Sequence, residues 1–205
     1  MFKKIIIVLL ILAAIGAISA LVHNLKVAHR NKKELAPFAQ TQTYTANLGK
    51  VLVIYYSWTG HTQDIADQIA ALTHADTYRI QTQEIFESSP AFYARIKKEL
   101  ANKQYPPLAG QMPDIRPYDT IFVGGPVWWY TMSTPLYSFL EQMDFQGKEV
   151  IPFSTQGSNP GTFLEDFQSR IQNARVGTYA NFNNVGAQYN EAVHNKIIHW
   201  LNHLK

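Results

Sequence analysis

The chain has 205 residues, of which 46% are hydrophobic, and a formal net charge of +3. The charge is uneven, because the residues up to Glu34 carry six Lys and Arg against one acidic residue (net +5), and the remainder carries twelve against fourteen (net −2). The basic balance therefore belongs to the N-terminal segment and does not indicate a nucleic-acid-binding surface. The chain has no Cys, which excludes disulfides, Cys-ligated metal sites and a lipid-modified cysteine anchor.

The N-terminal segment contains an apolar run at residues 5–22 that carries no charged side chain. A run of eighteen such residues just spans a hydrocarbon core of about 30 Å. We therefore predict that residues 1–22 form a single-pass membrane anchor or, as the alternative, a cleaved signal segment that leaves the protein exported. The positive charges that flank the run lean toward a cytoplasmic domain if the segment is an anchor.

Residues 23–49 follow the apolar run as a basic flank and then an uncharged, mostly polar stretch from residue 35. This composition predicts a linker that holds the next domain away from the membrane. Phe38 and Tyr44 offer an alternative, in which the linker packs on that domain.

The first predicted strand, residues 51–56, is apolar at every position, which is typical of a strand buried on both faces of a parallel sheet. It leads into a short loop that precedes a predicted helix at residues 64–72 and consists of Ser57, Trp58, Thr59, Gly60, His61 and Thr62. Hydroxyls and backbone amides at a helix N-terminus bind anions, so the loop predicts a phosphate site; an ordinary helix cap is the alternative. The motifs of P-loop nucleotide hydrolases and of dinucleotide-binding Rossmann folds are absent from the sequence, which disfavours both classes.

A second buried-strand pattern begins at residue 118, after a predicted strand at 77–80 and a predicted helix at 90–103. It stops at two glycines and continues as Pro126, Val127, Trp128 and Trp129. We expect these residues in a loop at the same sheet edge as the first loop, because parallel strands end at one edge. Aromatic side chains there indicate a planar ligand stacked on a ring, with core packing of the two Trp as the alternative.

A third strand is predicted at residues 148–154, and the polar loop that follows begins with Thr155, Gln156, Gly157 and Ser158. Its backbone and amide groups would bind a polar ring edge. Helices are predicted at residues 135–143, 163–171 and 187–204, and a last strand at 176–182. The alternation of strands and helices predicts one α/β domain at residues 50–205.

These three strand-and-loop segments, in this order, resemble the flavodoxin family. Ser57-x-Thr59-Gly60-x-Thr62 is similar to that family's loop for the phosphate of FMN, although His61 stands where the family usually has Asn. The loop around Trp128 and Trp129 resembles the family's loop that covers the flavin ring, and the third resembles the one that contacts its pyrimidine edge. The resemblance implies a doubly wound five-stranded parallel sheet in the order 2-1-3-4-5 with FMN as cofactor.

The resemblance also implies a redox function. The protein would be an electron carrier with a redox partner protein, or an FMN-dependent oxidoreductase that takes hydride from a nicotinamide donor and reduces a quinone-like acceptor. No side chain suggests a general acid, a general base, a nucleophile or a metal ligand, so none is predicted. A membrane-tethered module of the same fold that binds no flavin is the alternative.

Overall fold

A computed structural model describes residues 2–204, apart from the side chains of residues 2–4 and 8. Within this part of the chain, five main parallel strands form the centre of a sheet in the order β2-β1-β3-β4-β5. Their bounds are β1 Val51–Tyr55, β2 Asp76–Arg79, β3 Thr120–Trp128, β4 Glu149–Gln156 and β5 Ala180–Asn183. The predicted fold class and strand order are confirmed.

Two short strands extend this sheet to seven within the described residues. Arg175–Val176 pairs in parallel with the start of β4, and Thr131–Met132 pairs antiparallel with the end of β3. The predicted last strand, residues 176–182, is therefore interrupted before β5. In the gap, Thr178 O accepts a hydrogen bond from Trp200 Nε1, and the side-chain hydroxyl of Tyr179 bonds Ser154 Oγ.

Six α-helices alternate with the strands in the described residues. Their bounds are α1 Phe2–Leu35, α2 His61–Thr73, α3 Pro90–Asn102, α4 Thr134–Gln142, α5 Phe163–Arg170 and α6 Asn190–Asn202. Because successive side chains of a strand point to opposite faces of the sheet, Leu52 and Ile54 pack with α3, α4 and α5, and Val51 and Val53 pack with α2 and α6. The sheet therefore has a helical layer on each face.

Helix α1 runs without interruption from the apolar segment to Leu35. It is the one helix among the described residues that is long and apolar enough to cross a membrane, and its apolar window is not buried by the rest of the protein. Length and composition make it a candidate span, and a signal sequence would meet the same test. Anchor and signal segment both stay as predictions.

The segment between α1 and β1 lies along α6 rather than standing free. Asn195 Nδ2 donates to Phe38 O (3.0 Å), and Gln42 N donates to Asn195 Oδ1 (3.1 Å). Asn202 Oδ1 accepts from the backbone N of Thr45 and of Ala46 at 2.9 and 3.1 Å. Phe38 and Tyr44 pack against the core cluster beneath α6. The structure thus has the packed alternative and not the free tether, because two Asn side chains satisfy the backbone groups of a stretch that carries no charge.

Candidate functional site

Helix α2, which follows the first loop, begins at His61 rather than at the predicted residue 64. Gly60 has a φ of 96°, which places it in the left-handed region, and a Cβ added there would meet nothing within 4 Å. Ser57 is buried and its Oγ accepts a hydrogen bond from Gln63 N at 3.2 Å, which caps the first turn of the helix. A glycine that allows the turn, and a hydroxyl four residues before the first helical residue that caps the first turn, therefore place the helix start at His61.

The three hydroxyls of this loop have different surroundings. Thr59 is exposed, whereas Thr62 is 1% exposed and its Oγ1 bonds Thr155 Oγ1 of the third loop at 2.8 Å. Ser57 keeps its own proton, because it accepts from Gln63, and only one proton is used in the bond between the two Thr. Ser57, Thr59 and one hydroxyl of the Thr pair can therefore each still donate to an anion.

Further positive charge faces this loop from α2 and β2. The first amides of a helix have no acceptor within it, so those of His61 and Thr62 supply donors and the positive end of the helix dipole. Arg79, at the carboxyl end of β2, donates to Ser57 O at 3.3 Å and to Gln63 Oε1 at 3.2 Å. We did not predict Arg79 for this site. It lies next to the loop because β2 pairs with β1, so that the carboxyl ends of the two strands are neighbours.

The second loop differs from the prediction, because β3 continues through Gly124, Gly125 and Pro126 and ends only at Trp128. Gly124 lies over the ring of Phe153 in β4, where an added Cβ would come within 2.2 Å of the ring. Val127 and Trp128 then pair with Thr131–Met132, so the chain turns back at once. Gly124 therefore allows close packing on the neighbouring strand, and Gly125 allows close packing on Ser133 and Leu136 at the start of α4; neither ends the strand.

The turn itself is backbone in an unusual conformation. Trp129 and Tyr130 have φ values of 50° and 62°, in the left-handed region that bulky residues rarely adopt. Thr162 N donates to Tyr130 O at 2.8 Å, and a Cβ on Gly161 would lie 1.9 Å from the same oxygen. The start of α5 therefore holds the aromatic turn from behind.

The two Trp of the second loop have different roles. Trp128 is 7% exposed and makes edge contacts with Tyr56, Phe86 and Phe92, so it packs in the core and also lines the inner side of the cleft. Trp129 is 50% exposed at the mouth of the cleft, where it can stack on a ligand. Sequence could not separate them, because exposure depends on the turn that follows.

Trp58 packs beside the cleft and not over the first loop. Its ring stacks on Phe92 with a centroid distance of 4.0 Å and an angle of 8°, and its Nε1 donates to Phe86 O at 2.8 Å. The side chain therefore forms a side wall of the space next to the second loop.

Side-chain hydrogen bonds from β4 and β5 hold the start of the third loop. Gln156 is 3% exposed; its Oε1 accepts from Ser154 Oγ at 3.0 Å, and its Nε2 donates to Asn181 Oδ1 and to Asn183 Oδ1 at 2.9 and 3.0 Å. We expected amide groups of this loop to bind a ring edge, but the Gln156 side chain is engaged within the protein. Burial raises the pKa of Tyr179, which bonds Ser154, to about 12, so this phenol stays neutral.

These elements enclose an open cleft of about 390 Å³, within the range of roughly 300 to 1,000 Å³ that small-molecule sites occupy. No Asp, Glu, Lys, Arg or His is among the described residues that line it, which are Trp58, Phe92, Tyr93, Val127, Trp128, Trp129, Tyr130, Gln156, Gly157, Ser158 and Asn159. Thr155, at the end of β4, lies apart from this lining and bonds the first loop instead. We did not predict Phe92, Tyr93, Tyr130 or Asn159 for the site; for Phe92, the apolar stripe of α3 was the available signal.

The cleft lies at the carboxyl ends of β1, β3 and β4, where the strand order reverses. In open α/β sheets this is the position of nucleotide and flavin sites. An anion loop and an uncharged aromatic cleft side by side suit a ligand with a phosphate at one end and a planar ring at the other. Fold and site together define a flavodoxin-like α/β protein.

Comparison with known proteins agrees with this class. The flavodoxin family model matches residues 50–203, so the chain belongs to the flavodoxin family. The crystal structure of a flavoprotein from Lactobacillus acidophilus in complex with FMN superposes with a TM-score of 0.58 at 25% identity, over 64% of this chain and 92% of that one. A protein of Bacteroides uniformis described as a flavoprotein gives a TM-score of 0.62 at 27% identity, over 76% and 99%.

Two curated relatives bear the name NAD(P)H dehydrogenase (quinone). The protein of Cupriavidus metallidurans is 30% identical over 95 residues, and that of Azorhizobium caulinodans is 27% identical over 95 residues. In both cases the match covers 46% of this chain and 47% of the relative, so the chain spans about half the length of these relatives.

The family and the site support FMN as the cofactor, as the sequence predicted. The open space beyond Gly60 and the donors around it fit a phosphate, and the cleft beside Trp129 fits a planar ring. The contact of each residue with FMN stays a prediction.

Proposed function

We propose that the protein is an FMN-dependent oxidoreductase that takes hydride from a nicotinamide donor and reduces a quinone-like acceptor. The observation that carries the proposal is the uncharged aromatic cleft next to the phosphate loop. The partial relation to the two quinone dehydrogenases supports the same donor and acceptor. An electron carrier is the weaker candidate, because carriers dock through strongly charged faces and residues after Glu34 have a net charge of only −2.

Each part of the site has a separate task in this proposal. Ser57, Thr59, Thr62 and the first amides of α2 bind the phosphate and fix the depth of the cofactor. Trp129 stacks on one face of the ring, and the backbone of the third loop lies at its edge. When bound, FMN supplies hydride and electron transfer; the protein orients the ring, excludes water and leaves one side open to donor and acceptor.

The cleft favours uncharged, planar acceptors over charged ones. A charged group would lose hydration there and find no ion partner among the lining residues. A quinone ring meets no such penalty and gains contact with the aromatic walls. We also propose that residues 5–22 keep the protein at a membrane, where apolar quinones dissolve.

Titration of the purified full chain in detergent with FMN, and with riboflavin as the control that lacks phosphate, tests the cofactor site. We expect tight FMN binding and much weaker riboflavin binding, followed by quinone-dependent oxidation of NADH or NADPH. Binding of neither flavin would overturn the proposal in favour of a tethered module without flavin. Flavin binding without turnover of any quinone would leave the electron carrier.

A further inference from the structure

The C-terminal end of α1 packs onto the domain next to β5. Asn31 and Leu35 are each 6% exposed, and Leu35 belongs to the core cluster beneath α6. Glu34 Oε1 accepts from Lys196 Nζ of α6 at 2.6 Å. The helix that carries the candidate membrane span is therefore fixed to the α/β domain by apolar contact and by an ion pair.

A chain of hydrogen bonds leads from this helix end to the flavin cleft. Asn183 Nδ2, at the end of β5, donates to Asn31 Oδ1 and to Glu34 Oε2, both at 2.9 Å. Asn183 Oδ1 in turn accepts from Gln156 Nε2 at 3.0 Å, and Gln156 lines the cleft. Only one side chain, that of Asn183, separates α1 from the third loop.

The direction of these bonds is set from the α1 end. A carboxylate accepts hydrogen bonds and cannot donate, so Glu34 requires the NH₂ group of Asn183 to face α1. Asn183 then presents only its oxygen to Gln156, and Gln156 must donate. The Gln156 oxygen is left to accept from Ser154 Oγ, as observed. A reversed amide anywhere in this chain would set two donors or two acceptors against each other in a part-buried place.

We propose that Asn31 and Glu34 are positioning residues of the flavin site, which act through Asn183 on Gln156 and so hold the third loop against the ring of the cofactor. The N-terminal helix is then a structural part of the site and not only its attachment. The inference rests on the proposed function in taking the cleft as the flavin site.

Three variants of the full chain in detergent test this inference. Asn31→Leu and Glu34→Leu remove the acceptors at nearly constant size, and Asn24→Leu makes the same change at an exposed position seven residues before Asn31 on the same helix. Amide hydrogen exchange at residues 156–159 reports on the loop, and FMN and riboflavin titrations report on the cleft. A thermal melt checks that each variant is folded. If Glu34→Leu is unfolded, Asn31→Leu alone tests the inference.

We expect faster amide exchange at residues 156–159 in Asn31→Leu and Glu34→Leu. Exchange in Asn24→Leu should equal that of the unaltered chain. The Kd values for FMN and riboflavin should both rise by the same factor, about three- to tenfold, because the third loop lies at the ring cleft and not at the phosphate loop. Exchange and affinities equal to those of Asn24→Leu would overturn the inference, as would a loss confined to FMN. If the unaltered chain binds neither flavin, the proposed function fails, and exchange at residues 156–159 still decides whether α1 positions the loop.

Discussion

Thr59 and Thr62 differ in a way that separates ligand binding from stability. Val has nearly the shape of Thr without the hydroxyl, so Thr59→Val removes one exposed donor that has no partner among the described residues. A hydrogen bond to a charged group contributes about 1.5–3 kcal/mol, so the Kd for FMN should rise about ten- to hundredfold. Riboflavin affinity and the melting temperature of the apoprotein should stay unchanged, because no bond within the protein is lost.

Thr62→Val should instead affect both quantities. It removes the partner of Thr155 Oγ1, and Thr155 is 2% exposed, so a buried hydroxyl loses its hydrogen bond. This costs about 1–3 kcal/mol of the free energy of unfolding, which lowers the melting temperature by roughly 2 to 12 °C for a domain of this size. FMN titration and thermal melting of the two single variants provide the assay. Equal effects of both variants on melting, or unchanged FMN affinity in Thr59→Val, would refute the assignment of the hydroxyls.

Three other changes have distinct expected outcomes. Gly60→Ala and Gly147→Ala each place a Cβ at a positive φ (96° and 77°) with open space around it. Both should therefore lower the free energy of unfolding by about 1–2 kcal/mol. In an FMN titration, only Gly60→Ala should weaken binding. Trp129→Ala should weaken FMN and riboflavin binding about two- to tenfold and reduce the quenching of flavin fluorescence. The melting temperature of the apoprotein should stay unchanged. Unchanged quenching would mean that the flavin ring does not stack on Trp129. Asn202→Ala removes the hydrogen bonds that hold the backbone near residues 43–46, so it should lower the free energy of unfolding by about 1–3 kcal/mol and speed proteolysis at residues 40–48. FMN affinity should stay unchanged.

The sequence predicted the central strands and their loops because continuous apolar runs and sharp polar turns are local signals. It also placed the loop at Ser57 and the loop at Gly157 on one edge, since all parallel strands end alike. The pairing of Thr62 with Thr155 is not local, because the two residues lie 93 positions apart and either one alone is consistent with a simple cap.

The remaining differences also depend on distant partners. Nothing in the composition of residues 35–49 shows that Asn195 and Asn202, more than 150 positions later, satisfy its backbone. The extension of β3 past Gly124 depends on pairing with Ser154 and Thr155 of β4 and with Thr131–Met132. Local rules treat such glycines and polar stretches as breaks, whereas tertiary contacts turn them into packed structure.

If residues 5–22 span a membrane, the uninterrupted course of α1 fixes the height of the domain above it. From Val22, where the apolar run ends, to Leu35 the helix rises by about 20 Å at 1.5 Å per residue. With the apolar run in lipid and the C-terminal end of α1 packed on the domain, the cleft would keep a constant height above the bilayer, while the whole protein could still turn about the bilayer normal. Each residue added to α1 would raise the cleft by about 1.5 Å, so the length of this helix would decide how far an apolar acceptor must leave the bilayer to reach the cleft.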